Sequence, residues 1–199
     1  MHRMHKWILL LATLAAIPAA RADAPAPPAG AEKYFGGLEL VDQNGKTVDL
    51  YRDVIEGHTV VVHSFFTGCT ASCPVTMNTL KAVQSRLGDR MDREVRLISI
   101  SVDPTNDTPA TLKAYAQRVQ AKPGWLFLTG TSEQVGNALK RIGQYVDEPT
   151  AHMDLIVAGN THTGLWKKIL GTAPLAQTSD LILGVADDKG AAGDGASQK

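Results

Sequence analysis

Cysteine is nearly absent from this chain: Cys69 and Cys73 are the only two among 199 residues, so whatever they do they do as one pair. A long hydrophobic run is missing too. The longest, residues 7–20, is about 14 residues, against the roughly 20 that a membrane-spanning helix needs. Excess charge is absent, with 20 basic against 20 acidic side chains and no basic stripe, which argues against nucleic acid as a partner. No internal repeat and no compositional bias stand out. Hydrophobic residues make 44% and charged residues 20%, which excludes disorder of the whole and leaves one domain with a sizeable core.

The N-terminus reads as an export signal. MHRMHK is a positive leader, residues 7–20 are its apolar core, and Ala20-Arg21-Ala22 forms an A-x-A cleavage site. A signal peptide over residues 1–22 and a soluble periplasmic product are expected. If the apolar core is retained, it is a membrane anchor, and membrane association is expected only then. Without the first 22 residues, 17 basic face 20 acidic side chains. Outside the cytoplasm a cysteine pair can be stably oxidised. Residues 23–33 (DAPAPPAGAEK) are expected to form a flexible leader, and residues 184–199, small, polar and Gly-rich, a disordered tail. The domain is expected over 34–183.

Within it, GLELVDQNGKTVDLY alternates around Asn44-Gly45, which predicts a β-hairpin. TVVVHSFF (59–66) and VRLISISV (95–102) are apolar runs typical of strands buried on both faces, and LFLTG (126–130) is a third. Helical spacing from Pro74 to Leu87 assigns Val75, Leu80, Val83 and Leu87 to an inner face. Thr108-Pro109 opens a helix to about Val119, and Ser132 caps another to about Tyr145. DLIVAGN (154–160) and LWKKILG (165–171) are two further strands, and a last helix begins at Pro174. The order predicts an α/β, thioredoxin-like fold: a central mixed sheet flanked by helices, an N-terminal hairpin, and antiparallel strands added at one side.

The cysteines fall after the first central strand. Pro74 fits a helix only in its first turn, so Cys73 sits at the helix start, where backbone N–H groups and the helix dipole favour thiolate. Three roles are open. A permanent disulfide would pin the loop, although closing so short a loop stabilises little. A redox dithiol is possible, but thioredoxin-type sites have two residues between the cysteines and here there are three, Thr70, Ala71 and Ser72. A soft-metal site needs at least one more ligand.

Among six histidines, His2 and His5 leave with the signal, His58 is a turn residue, His63 lies inside a strand, and His162 is in the THTG turn. His152 precedes the penultimate strand, next to the cysteine loop in a thioredoxin-like sheet, and is the best third ligand. Two thiolates and an imidazole suit Cu(I) and also accept Cu(II), whereas structural zinc normally takes four protein ligands. Met77 and Met153 are accessory candidates, Met77 being expected in the core. Asp103-Pro104 and Asp107-Thr108-Pro109 read as turn and cap residues, and Trp125 and Trp166 as packing residues.

FFTGCTASCPVTMNTL, SISVDPTNDTPATLKAYAQ, LFLTG and AHMDLIVAGNTHTGLW together resemble the Sco/SenC family of copper-binding thioredoxin-like proteins, over roughly residues 36–180. The resemblance implies one copper ion, Cu(I) or Cu(II), held by Cys69, Cys73 and His152. It implies an exported or membrane-anchored metallochaperone that delivers copper to the binuclear centre of cytochrome c oxidase or, as a thiol–disulfide reductase, reduces that centre's cysteines. Its partners would be a copper-accepting respiratory enzyme subunit and a thiol–disulfide reductant. Two positions depart from the family's commonest pattern. Thr70 stands where many members have Pro, and Ala151 where many have Asp, which removes an acidic neighbour of the imidazole. Neither change removes a ligand.

Cleavage after Ala22 is directly measurable. The intact mass of the exported protein is expected to lack residues 1–22, and a full-length mass would make residues 7–20 an anchor.

Overall fold

A computed structural model describes residues 30–70 and 73–190. The expected signal, residues 23–29 of the leader, Ala71, Ser72 and residues 191–199 of the tail lie outside the described residues.

Three apolar runs build the centre: β3 (Thr59–Phe65), β4 (Val95–Ser101) and β5 (Trp125–Thr129), paired parallel. Every residue of β3 is buried, because alternate side chains enter two different cores. Val61 and Phe65 face one core and Val60 and Val62 the other. The first core lies under α2 (Cys73–Leu87), α3 (Pro109–Arg118) and α5 (Leu175–Ala186). The second lies under α1 (Gly30–Phe35), a π-helical turn at Leu50–Ile55, and α4 (Ser132–Ile142).

Antiparallel strands close both sides of this centre, not one side as the strand order implies. The hairpin β1 (Glu39–Asp42) and β2 (Thr47–Asp49) pairs with β5. On the other side β6 (Leu155–Asn160) pairs with β3, and β7 (Trp166–Leu170) with β6, giving the order β2-β1-β5-β4-β3-β6-β7. The hairpin turns at Gly45, whose φ of 82° lies in the left-handed region that glycine adopts without strain.

Several boundaries differ from expectation for local reasons. Residues 30–33, expected in the leader, belong to α1, and α5 runs to Ala186, past the expected tail boundary at Gly184. The cap of α4 is Thr131, in a reciprocal capping box with Gln134, and the helix stops at Gly143 (φ 70°) rather than near Tyr145. Val75 is 52% exposed, contrary to its inner-face assignment. The buried stripe of α2 runs through Cys73, Thr76, Met77, Thr79, Leu80, Val83, Gln84 and Leu87, and at 100° per residue Val75 falls outside it. Trp125 is core, stacked on Phe127 at 5.4 Å. Trp166 is partly exposed and packs against Phe35 at 5.6 Å. Among the described residues no helix is long and apolar enough to cross a membrane.

His63 is a satisfied core residue, as expected. Its Nε2 lies 2.7 Å from the Ser99 hydroxyl, whose oxygen also accepts from Trp125 Nε1 at 2.9 Å. Because that oxygen accepts from the indole, its proton is free to donate to Nε2, which leaves the imidazole neutral. Burial holds the His63 pKa down at about 3 from 6.5, with the backbone hydrogen bond of Ser64 opposing and His152 adding to the depression. The unfolded chain binds this proton near pH 6.5 and the folded chain does not. Stability is therefore full above about pH 6.5 and falls on acidification, by at most about 1.4 kcal/mol per pH unit. Between pH 7 and pH 5 the unfolding free energy from urea titration is expected to drop by about 1–2 kcal/mol. His63→Gln is expected to remove most of that drop, and an unchanged pH slope in the variant would contradict the assignment.

Candidate metal centre

The site hangs from the carboxyl end of β3. Past Phe65 the chain turns through Thr67 and Gly68, with the Cys69 amide donating to the Phe66 carbonyl at 3.2 Å. The turn is held from outside by Asp107, which is 1% exposed. Its carboxylate accepts from the Thr67 amide at 3.1 Å, from the Thr67 hydroxyl, and from the Ser101 hydroxyl at 2.5 Å. A buried carboxylate is tolerated only when it is satisfied in this way. Removing it would orphan the buried Ser101 hydroxyl, at roughly 1–3 kcal/mol, and release the half-buried Thr67. Asp107 thus fixes the residue two positions before Cys69.

Cys73 is the first residue of α2, with Pro74 in the first turn where its missing N–H costs nothing. Its side chain is buried against Met77 and Leu80, while Cys69 is half-buried. The two are joined as a disulfide, with Cα atoms 6.0 Å apart, a separation usual for disulfides. No acidic residue occupies the first turn of α2, so the helix dipole meets the sulfurs uncompensated.

His152 arrives from the other side of β3. A single 3-10 turn, Pro149–Ala151, ends at His152, three residues before β6, and β6 lies beside β3. The His152 Nδ1 is 2.8 Å from the Pro149 carbonyl oxygen, and its Nε2 is 3.3 Å from Cys73 Sγ. A carbonyl oxygen only accepts, so Nδ1 carries the proton and Nε2 presents its lone pair to the sulfurs. The Phe66 ring abuts the imidazole edge-on at 5.5 Å, and the Thr76 hydroxyl donates to the Asp154 carboxylate at 3.4 Å, tying α2 to the histidine loop.

The three candidate residues Cys69, Cys73 and His152 therefore come together, with their ligand atoms all within 4.8 Å of one another. No other His, Cys, Asp or Glu among the described residues joins the group. The accessory thioethers are not recruited: Met77 is in the core and Met153 is 64% exposed. His58 and His162 are occupied elsewhere, bonding the carbonyls of Glu56 and Asp92 and of Gly57. Asp107 does more than the turn and cap role its sequence position suggests. Thr108 is the cap of α3, and one partner of Asp107, Thr67, lies 40 residues earlier, where no local pattern points.

Comparison with known proteins agrees with this arrangement. The family model SCO1/SenC matches residues 26–165. A Stutzerimonas stutzeri protein, provisionally named as copper-binding, is 31% identical over 112 residues, covering 56% of this chain and 53% of that protein. The chain spans about half the length of the curated relatives it matches. BsSco, a member of the Sco family of cytochrome c oxidase assembly proteins in which a disulfide switch is identified, superposes with a TM-score of 0.61 at 26% identity over 74% of this chain and 90% of that one. Bradyrhizobium japonicum ScoI, solved with copper bound, shares the fold with a TM-score of 0.61 at 24% identity over 76% of this chain and 99% of that one. A thioredoxin-like sheet, a cysteine pair at a helix start and a family model matched across more than half the chain converge on one conclusion: the chain belongs to the SCO1/SenC family.

Proposed function

We propose that this protein holds one copper ion on Cys69, Cys73 and His152 and hands it to a respiratory copper enzyme such as cytochrome c oxidase, working in the periplasm as a metallochaperone. The observation that carries the reading is the imidazole: with Nδ1 committed to Pro149, its Nε2 lone pair lies 3.3 Å from Cys73 Sγ. The donor set fits the ion. Two thiolates are soft ligands, which Cu(I) prefers, a neutral imidazole also suits copper, and among the described residues no fourth protein ligand closes the group as structural zinc requires. The copper-binding name of the Stutzerimonas relative and the copper-bound Bradyrhizobium structure lend family support. The place of BsSco among cytochrome c oxidase assembly proteins supports the link to oxidase assembly, and the signal-like N-terminus supports the location.

Loading requires the dithiol. A thiol reductant supplies two electrons and two protons, the Cys69–Cys73 bond breaks, and the reductant leaves as its own disulfide. The freed sulfurs of Cys69 and Cys73 then receive copper as cargo, and their two protons leave to solvent as the ion binds. A three-ligand site leaves room for a donor from the acceptor, so the ion can pass by stepwise ligand exchange. The half-buried Cys69 is the sulfur an incoming group reaches first, Cys73 being enclosed by the core. The disulfide itself favours a second reading, in which the same pair, once reduced, reduces a disulfide of the acceptor.

Titration of the reduced protein with Cu(I) against a chromophoric chelator separates these readings. One copper per chain is expected, and His152→Ala is expected to weaken binding by roughly tenfold or more. Absence of uptake by the reduced wild type, or an affinity indifferent to His152→Ala, would sink the three-ligand site. The reductase reading predicts instead that His152→Ala spares disulfide reduction while Cys69→Ser and Cys73→Ser abolish it.

A further inference from the structure

We propose that Gln144 is the positioning residue for His152, acting by closing the loop that carries the histidine; the inference rests on the copper-site reading above. The antiparallel ladder between β3 and β6 runs from Thr59↔Asn160 to His63↔Ile156 and there ends. The next rung would join Ser64 to Leu155. In its place stands the Gln144 side chain. The Ser64 amide donates to Gln144 Oε1 at 2.7 Å, and Gln144 Nε2 donates to the Leu155 carbonyl at 3.1 Å. One primary amide thus supplies both an acceptor and a donor where two strands have parted. Gln144 is 4% exposed, so little water is at hand to take over either bond.

The placement gives this clamp its consequence. Gln144 follows Gly143, the left-handed cap of α4, and its own N–H is anchored on the Leu139 carbonyl at 2.8 Å. Its hold on Leu155 closes a loop with a sequence separation of 11, and His152 is inside that loop. Its hold on Ser64 grips the strand that leads, five residues on, to Cys69. The clamp therefore fixes the loop of the imidazole against the strand that leads to the cysteines. A loop closed at its base samples fewer conformations, and a ligand held in place beforehand does not have to be ordered by the metal. Asp107 holds the cysteine side only, and the Pro149 bond sets the ring's orientation within the loop but not where the loop lies.

Gln144→Met keeps the length and volume of the side chain and removes both bonds. Reduced Gln144→Met is expected to bind Cu(I) about tenfold more weakly than wild type, the loss typical of outer-shell partners of metal ligands. Metal-free, it is expected to show faster amide hydrogen exchange across residues 145–154. In a His152→Ala background the same change is expected to shift copper affinity by less than about twofold, because a residue acting through His152 has nothing left to position. The clamp is overturned if Gln144→Met retains wild-type affinity where His152→Ala loses it, if the loss is equal in both backgrounds, or if exchange across 145–154 is unchanged. A His152→Ala protein with wild-type affinity overturns the copper-site reading itself, and the positioning role with it. Should Gln144→Met fail to fold, Gln144→Glu, which keeps the acceptor for Ser64, is held to the same criteria.

Discussion

The site depends on one constraint: β3 must be hydrogen-bonded on both sides. Its residues Val60 to Phe65 bury side chains into two cores at once, so neither edge of the strand can face water. A parallel neighbour, β4, satisfies one edge and an antiparallel one, β6, the other. Antiparallel pairing sends the start of β6 to the carboxyl end of β3. That brings the loop ahead of β6, with His152 in it, beside the turn that carries Cys69. The two halves of the donor set lie 79 residues apart in the chain and meet because of this backbone pairing.

Around that meeting point the organising contacts change from apolar to polar. Below it, Phe65, Tyr115 and Phe127 pack at 5.2–5.9 Å and need only mutual shape. Above it, where the strands end, Asp107 holds the cysteine turn and the Pro149 carbonyl holds the ring of His152. The distinction is physical. Apolar packing sets a separation but tolerates small rotations, whereas hydrogen bonds to backbone groups set direction. A soft-metal site needs direction, since lone pairs must converge within the 4.8 Å that its ligand atoms span.

Most of the fold is legible in the sequence because its signals are local. The strand runs, the Asn44-Gly45 hairpin turn and the Thr108-Pro109 helix start depend on residues a few positions apart. The three candidate ligands are legible too, because cysteine is scarce and the chemistry of cysteine and histidine is distinctive. The polar scaffolding is not. Gln144 and Asp107 are common residue types that each reach a distant partner, 80 and 40 residues away, and nothing in their neighbourhoods distinguishes them from solvated side chains. Val75 misleads for another reason: beside a proline at the helix start its apolar character suggests burial, while the 100° period places it outward.

The disulfide and the metal compete for the same two sulfurs, so they are alternative states of one centre. In the disulfide state the imidazole is already turned toward Cys73, held by Pro149 and braced by Phe66. In the proposed site, reduction then has to change only the cysteine side: one S–S bond breaks, sulfurs are freed in the turn at Cys69 and at the start of α2 at Cys73, and the histidine is in place. The cost of orienting the histidine is met when the chain folds, not each time an ion binds, which leaves more of the intrinsic binding energy to appear as affinity. A carrier that must also release its ion gains from the same arrangement. On the proposed reading its affinity would reside in few ligands and would be dismantled one donor at a time, beginning at the half-buried Cys69, while the imidazole and the enclosed Cys73 would keep hold until the acceptor's donors had closed around the ion.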